Sequence, residues 1–433
     1  MLPLASVGYA QREIVMACVL PKGVNVLGNH MRAKAHLHPS DLRGASRLAV
    51  DAVIGLTDLV EAMHHNITSL ARPLGKSPAG STRGITGLAY RTVRGVTRLV
   101  GDGVDIALAP LAALLEERES SSARDAVGAA LNGVLGDYLV ETGNPLAVSM
   151  HLCSRGKPLV MEKAALAAAF PKVTGKVLVL VHGLCMSEQQ WLRQGHDHGA
   201  ALARDLGYTP VYLRYNSGLH ISANGREFTA MLELLTASWP VEIEELVILA
   251  HSMGGLVARS ALYYGEVAGH NWPKRLRSLV FLGTPHHGAP LERGGHWVDT
   301  ILGVSPYTAP FVRLGKIRSA GITDLRFGDL RDEDWLGHEQ HKRAKATKHA
   351  LPLPEATNCY AVAATTGEKP GDLNDRLLGD GLVPLSSALG QHPNPALDLA
   401  IPANRQWVGY AMNHMDLLSS PDVYAQIRQW LTP

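Results

Sequence analysis

The stretch Leu246-Val-Ile-Leu-Ala-His-Ser-Met-Gly-Gly255 decides how this chain is read. Its unbroken apolar run, Leu246 to Ala250, suits a strand buried on both faces, and the glycine pair after Met253 suits a turn that opens a helix. Between strand and helix stands Ser252. A serine hydroxyl is a poor nucleophile unless it is exposed and held against a base. A sharp strand-to-helix turn gives that exposure. It needs small residues two before and two after the serine, because the backbone approaches itself there. Ala250 and Gly254 hold those positions, so alanine stands where a glycine is usual. Ser252 is the candidate nucleophile.

Upstream, Val177-Leu-Val-Leu-Val-His-Gly-Leu184 is a second continuous apolar strand, closed by His-Gly. Acyl transfer develops an oxyanion that needs preorganised N–H donors. The backbone N–H of Met253, after the nucleophile, and that of Leu184, in the loop leaving this strand, are the candidates. His182 precedes the serine, whereas the partners in this architecture follow it in the order acid, then histidine. It therefore reads as structural. The candidate acid is Asp380, in Leu378-Gly-Asp-Gly-Leu-Val-Pro384, after the expected strand Asn358–Ala364 and among glycines that suit a turn. Nearby Asp372 and Asp375 read as solvated loop residues. The candidate base is His414, in Ala411-Met-Asn-His-Met-Asp-Leu-Leu418, between the last strand and the last helix. His392, in a Gln-His-Pro-Asn-Pro loop before that strand, is its rival. Among 20 histidines, position decides. Adjacent His286 and His287 admit a metal reading. Neighbouring side chains point apart, however, and no Cys or carboxylate stands at ligand spacing, so hydrogen-bonded supporting roles are expected and no metal.

Val-His-Gly-Leu (181–184), Ala-His-Ser-Met-Gly-Gly (250–255) and Leu-Gly-Thr-Pro-His-His-Gly (282–288) together resemble the bacterial lipase and esterase branch of the α/β-hydrolases. The resemblance is closest to small lipases with alanine at the first elbow position and to relatives of the GPI-inositol deacylases. It covers roughly residues 146–433. It implies a mostly parallel central sheet with flanking helices and a triad of Ser252, Asp380 and His414. The similar lipases carry their acid in such an Asp-Gly-x-Val-Pro stretch. A small-molecule or lipid ester is the implied substrate, and no cofactor is implied.

The rest of the chain fits a large globular protein: 433 residues, 46% hydrophobic and 18% charged. A net charge of +2 argues against nucleic acid as the main partner. The four scattered cysteines read as free thiols of a reducing compartment. With neither a secretory signal nor an apolar run of about 20 residues, a cytoplasmic location is expected. Residues 1–40 read as a poorly ordered arm and 41–145 as a helical region. Its segments start at Ser40, Gly84, Ile106 and Ser122. In the segment Gly84–Val100, Arg91, Arg94 and Arg98 gather opposite an apolar side. Such a helix can lie on an anionic membrane surface, giving peripheral membrane contact. Packing on the hydrolase domain with solvated arginines is the plainer reading. Residues 146–433 form the expected catalytic domain, with a cap or lid insertion over about 288–355. Ester hydrolysis leads. Acyl transfer by the same triad is an alternative. So is a membrane-associated binding protein on an inactive scaffold, although that would call for a missing triad member and none is missing.

Overall fold

The computed structural model describes residues 40–51, 53–54, 95, 97, 122–289, 319–336, 351–370 and 379–432. The expected helix over 106–118, the arm over 1–39 and much of the insertion lie outside the described residues, as do Asp372 and Asp375. The same is true of the helix over 84–100 apart from residues 95 and 97, which are helical. The chain divides into two compact units, Met1–Ser121 with Asn144–Leu146, and Ser122–Gly143 with Ala147–Pro433. In the first, residues 40–51 are helical, and Asn144 Nδ2 donates to the Gly44 carbonyl at 3.2 Å.

The second unit begins with helix α1 (Ser122–Glu141). Composition groups this helix with the helical N-terminal region, and the structure groups it with the sheet. The reason lies in its contacts. Leu131, Val134, Leu135 and Leu139 are buried, Asn132 Oδ1 accepts from Val148 N at 2.9 Å, and the Gly136 carbonyl accepts from Asn216 Nδ2 at 3.0 Å.

Eight strands follow: β1 (His151–Ser154), β2 (Lys157–Pro158), β3 (Lys176–Val181), β4 (Thr209–Arg214), β5 (Glu245–His251), β6 (Leu276–Leu282), β7 (Asn358–Ala364) and β8 (Gln406–Gly409). They form one sheet in the order β2-β1-β4-β3-β5-β6-β7-β8. The first two make an antiparallel hairpin, β1 is also antiparallel to β4, and every pairing from β4 to β8 is parallel. The remaining helices are α2 (Lys163–Ala169), α3 (His198–Leu206), α4 (Ile221–Ser238), α5 (Met253–Val267), α6 (Ala320–Phe327), α7 (Leu385–Ala388) and α8 (Pro421–Leu431).

Alternate residues of a strand face opposite sides of a sheet. The all-apolar runs therefore require cover on both. Val177, Val179, Val181, Ile248, Ala250 and Phe281 join one core with Leu232 and Leu235 of α4 and Leu256 of α5. Leu178, Leu180, Val247, Leu249, Val280 and Leu282 join the other with Leu202 of α3 and Ile427 of α8. The chain lays down β3, places β4 on one side of it, then crosses to β5 on the other. In open α/β sheets, a crevice forms outside the carboxyl ends of strands at such a reversal. The His182-Gly183 and Ser252 positions lie just there. Within the insertion between β6 and β7, α6 buries Ile322 and Leu325 in the first core.

Candidate active site

Ser252 joins β5 to α5 with φ 55° and ψ −126°, a conformation that L-residues rarely adopt. The close approach expected at the elbow is present. A Cβ at Gly254 would lie 2.5 Å from the His182 carbonyl oxygen and 2.6 Å from that of Val181. Only glycine lets α5 start against the end of β3. Ala250 is fully buried and pairs in register with Val181 and Phe281, so its methyl group belongs to the core and leaves the turn intact. Ser252 N donates to the Leu282 carbonyl at 2.8 Å, which fastens the elbow to β6.

Asp380 and His414 meet as the sequence suggests. His414 Nδ1 lies 2.6 Å from Asp380 Oδ2. The other carboxylate oxygen accepts from Leu382 N at 2.9 Å and Val383 N at 2.8 Å, and His414 N donates to the Asp380 carbonyl at 3.2 Å. The carboxylate is thus fixed by backbone on one side and aims at the imidazole on the other. An ionised carboxylate only accepts, so Nδ1 carries the ring proton and Nε2 is the nitrogen left to accept one.

Two contacts bring His414 beside the elbow. A Cβ at Gly283 would lie 3.0 Å from its Cε1 and Nδ1, and Gly283 directly follows the Leu282 carbonyl that holds Ser252 N. His251, next to the serine, donates from Nε2 to the His414 carbonyl at 3.2 Å, with ring centroids 4.7 Å apart. Burial, reinforced by His414, holds the His251 pKa well below its ordinary value, so this ring is neutral and cannot compete as a cation. Ser252, Asp380 and His414 are at most 3% exposed, in surroundings where oriented dipoles act strongly.

The loop after β3 runs against the nucleophile, since a Cβ at Gly183 would lie 3.0 Å from Ser252 Cβ. Leu184 is the next residue. Met253 opens α5, so helix geometry gives its N–H no partner within the helix. His182 is fully buried, with Nδ1 donating to the Gly183 carbonyl at 2.9 Å. Its ring stacks on Tyr215 at 4.3 Å, and Tyr215 Oη donates to the His182 carbonyl at 2.8 Å. Burial lowers its pKa to about 4. It is a neutral brace for the strand end.

The rival histidines have partners of their own. His392 N donates to Asp398 Oδ2 at 3.0 Å, and its ring meets that of His287 at 4.9 Å. His286 sets its ring edgewise on Phe281 at 4.5 Å and lies 3.4 Å from Arg259 Nη1. Among the described residues, no group of three or more His, Cys, Asp and Glu side chains has a geometry that could hold a metal ion. Three residues framing the site escaped the reading of the sequence: His251, Tyr215 and Ser217, whose Oγ accepts from Cys185 N. The first was visible inside the elbow motif. The other two come from the loop after β4, which only the β3–β4 pairing brings to the site.

The fold is the α/β-hydrolase fold, and an elbow serine with an Asp–His pair beside it gives the layout of a serine hydrolase. Residues 172–341 match the family model described as "PGAP1-like alpha/beta domain". Among solved structures, the mature lipase BlEst2 of Bacillus licheniformis is similar at 17% identity and TM-score 0.40, over 65% of this chain and 97% of that one. The esterase Pf2001 of Pyrococcus furiosus aligns at 15% identity and TM-score 0.34, over 60% of this chain and 80% of its own. The NocB thioesterase domain aligns at 16% and 0.35, over 66% of this chain and all of that one. No curated protein matches this sequence. No helix among the described residues is long and apolar enough to cross a membrane.

Proposed function

We propose that this chain hydrolyses carboxylic esters, lipid esters among them, through an acyl-Ser252 intermediate. The observation that carries the reading is the 2.6 Å bond between Asp380 and His414, set beside a serine in an elbow conformation. His414 Nε2 takes the hydroxyl proton as Ser252 Oγ attacks the ester carbonyl carbon. The carbonyl electrons move onto oxygen, and the N–H groups of Leu184 and Met253 receive the oxyanion. As the tetrahedral species collapses, the C–O bond to the alcohol breaks and His414 returns the proton to the leaving oxygen. Water repeats the sequence on the acyl-enzyme, releasing the acid and restoring the serine. Asp380 holds the Nδ1 tautomer and stabilises the imidazolium without taking the proton.

The test is hydrolysis of p-nitrophenyl esters with short, medium and long acyl chains. Wild type is expected to turn them over, with the chain-length profile separating esterase from lipase behaviour. Ser252→Ala is expected to lose up to about 10⁶ in turnover. A wild type inert on every ester, or an equally active mutant, would sink the reading.

A further inference from the structure

Leu184 leaves the sheet on a loop, and the aim of its N–H depends on what holds the next peptide. Cys185 has φ 58°, so the chain turns sharply just after Leu184. Two neighbours fix that turn. Cys185 N donates to Ser217 Oγ at 3.0 Å, and Ser217 is buried. On the other side α1 comes so close that a Cβ at Gly133 would lie 2.3 Å from Cys185 Sγ and 2.9 Å from its Cα. A peptide plane held from both sides restricts the rotation of Leu184 between it and Gly183.

The Ser217 loop is itself tied to the insertion. Gly321 N of α6 donates to the Gly218 carbonyl at 3.0 Å, and a Cβ at Gly321 would lie 2.1 Å from the Ser217 carbonyl oxygen. Asp324 of α6 accepts through Oδ2 from Ile221 N at 2.9 Å and His220 Nδ1 at 2.8 Å. Just before α6, Ser319 Oγ donates to the Gly133 carbonyl at 2.7 Å. The start of α6, the loop after β4, α1 and the oxyanion loop therefore form one hydrogen-bonded and close-packed patch.

We propose that Ser217 is a positioning residue for the oxyanion donors, and that through it the seating of α6 sets the aim of the Leu184 N–H. The inference rests on the acyl-Ser252 reading and names a control of that same site. The hydroxyl accepts from Cys185 N, so its removal takes away that partner and leaves the Leu184–Cys185 peptide restrained on the α1 side alone. The donor that suffers is used in the tetrahedral state rather than in ground-state binding.

The experiment compares wild type, Ser217→Ala, Ser217→Thr and Gly321→Ala as full chains. It measures kcat and KM on one p-nitrophenyl ester, inhibition by a trifluoromethyl ketone of the same acyl group, and amide hydrogen exchange over residues 183–186. For Ser217→Ala, kcat is expected to fall roughly 10- to 100-fold, part of the loss known for deleting an oxyanion donor outright. KM should stay nearly constant, ketone affinity should fall with kcat, and exchange should quicken at Leu184 and Cys185 alone. Ser217→Thr, which keeps the acceptor, should retain most activity. Gly321→Ala, which presses on the Ser217 carbonyl, should move all three readouts in the direction of Ser217→Ala. Unchanged kcat and exchange in Ser217→Ala would overturn the proposal. So would a general rise in exchange with kcat and KM both affected, since that marks a structural role. A wild type inert toward both ester and ketone would instead defeat the acyl-hydrolase reading, leaving local exchange to decide whether Ser217 holds the loop.

Discussion

Ser252 sits at φ 55° without a glycine's freedom, held by the Leu282 carbonyl of β6 on one side and by the start of α5 on the other. Such backbone strain costs about 1–3 kcal/mol and is retained where the surrounding structure over-determines it. Ser252→Gly should therefore raise stability by about 1 kcal/mol while abolishing activity, whereas Ser252→Ala abolishes activity and keeps the strain. Urea unfolding of the two mutants side by side checks this; a glycine variant less stable than the alanine one would contradict it. Asp380→Asn keeps the side-chain shape but loses the acceptor charge facing Nδ1. By the logic of such triads kcat should fall by about 10⁴ with KM little changed, and a loss under tenfold would argue for another acid. At this scale the sequence was most legible where a motif restricts chemistry. Ser252, Asp380 and His414 each stood in a turn of recognisable composition. Ser217 did not, because a serine in a loop carries no signal until β4 pairs with β3.

The elements that position the site read well for a physical reason. The strands β3, β5 and β7 are buried on both faces along nearly their whole length, so they end where burial ends, within a residue of the expected apolar runs. The outer hairpin read less well. Its apolar stretches run over Ala147–Cys153 and Pro158–Met161, and pairing covers only His151–Ser154 and Lys157–Pro158. An edge pair exposed to solvent has little burial to define its limits. Short helices were not anticipated, among them α2 of 7 residues and α3 of 9. The second had visible stops: Asp197 caps it through Ala200 N at 2.9 Å, and Gly207 closes it at φ 76°. Of the expected insertion, α6 packs into the first core, and residues 290–318 and 337–350 lie outside the described residues. The elbow's dependence on β3 gives a prediction at this scale. Gly254→Val places branched carbon against the Val181 and His182 carbonyls, and overpacking of this kind costs about 1–3 kcal/mol. A lowered urea midpoint is expected, with activity lost even in mutant that remains folded. Wild-type stability and turnover would show that α5 does not need its close approach.

For the whole molecule, the order of the strands explains why residues far apart in sequence share one crevice. The reversal between β4 and β5 leaves the ends of β3 and β5 side by side, and β6, β7 and β8 then deliver Gly283, Asp380 and His414 from the same edge. The same architecture buries histidines. His182 and His198 are fully buried, and desolvation lowers each pKa to about 4. His251 and His286 are shifted the same way by burial. In the unfolded chain these rings titrate near 6.5, so between roughly pH 6.5 and 4 the unfolded state binds more protons. Their contribution to stability is complete above that window and is lost as pH falls through it. For His182 and His198 the loss is on the order of 3 kcal/mol each. Urea midpoints measured from pH 8 to pH 4.5 should drop steeply below about pH 6.5. A flat profile would mean that these rings are not held neutral in the interior.

Covalent capture would identify the nucleophile itself. The intact chain is treated with a fluorophosphonate, and the adduct is located by peptide mass mapping in wild type, Ser252→Ala and His414→Ala. A single phosphonyl group is expected on the peptide carrying Ser252, absent from Ser252→Ala and formed far more slowly in His414→Ala. An unlabelled wild type, a label on another serine, or labelling indifferent to His414 would contradict the acyl-Ser252 reading.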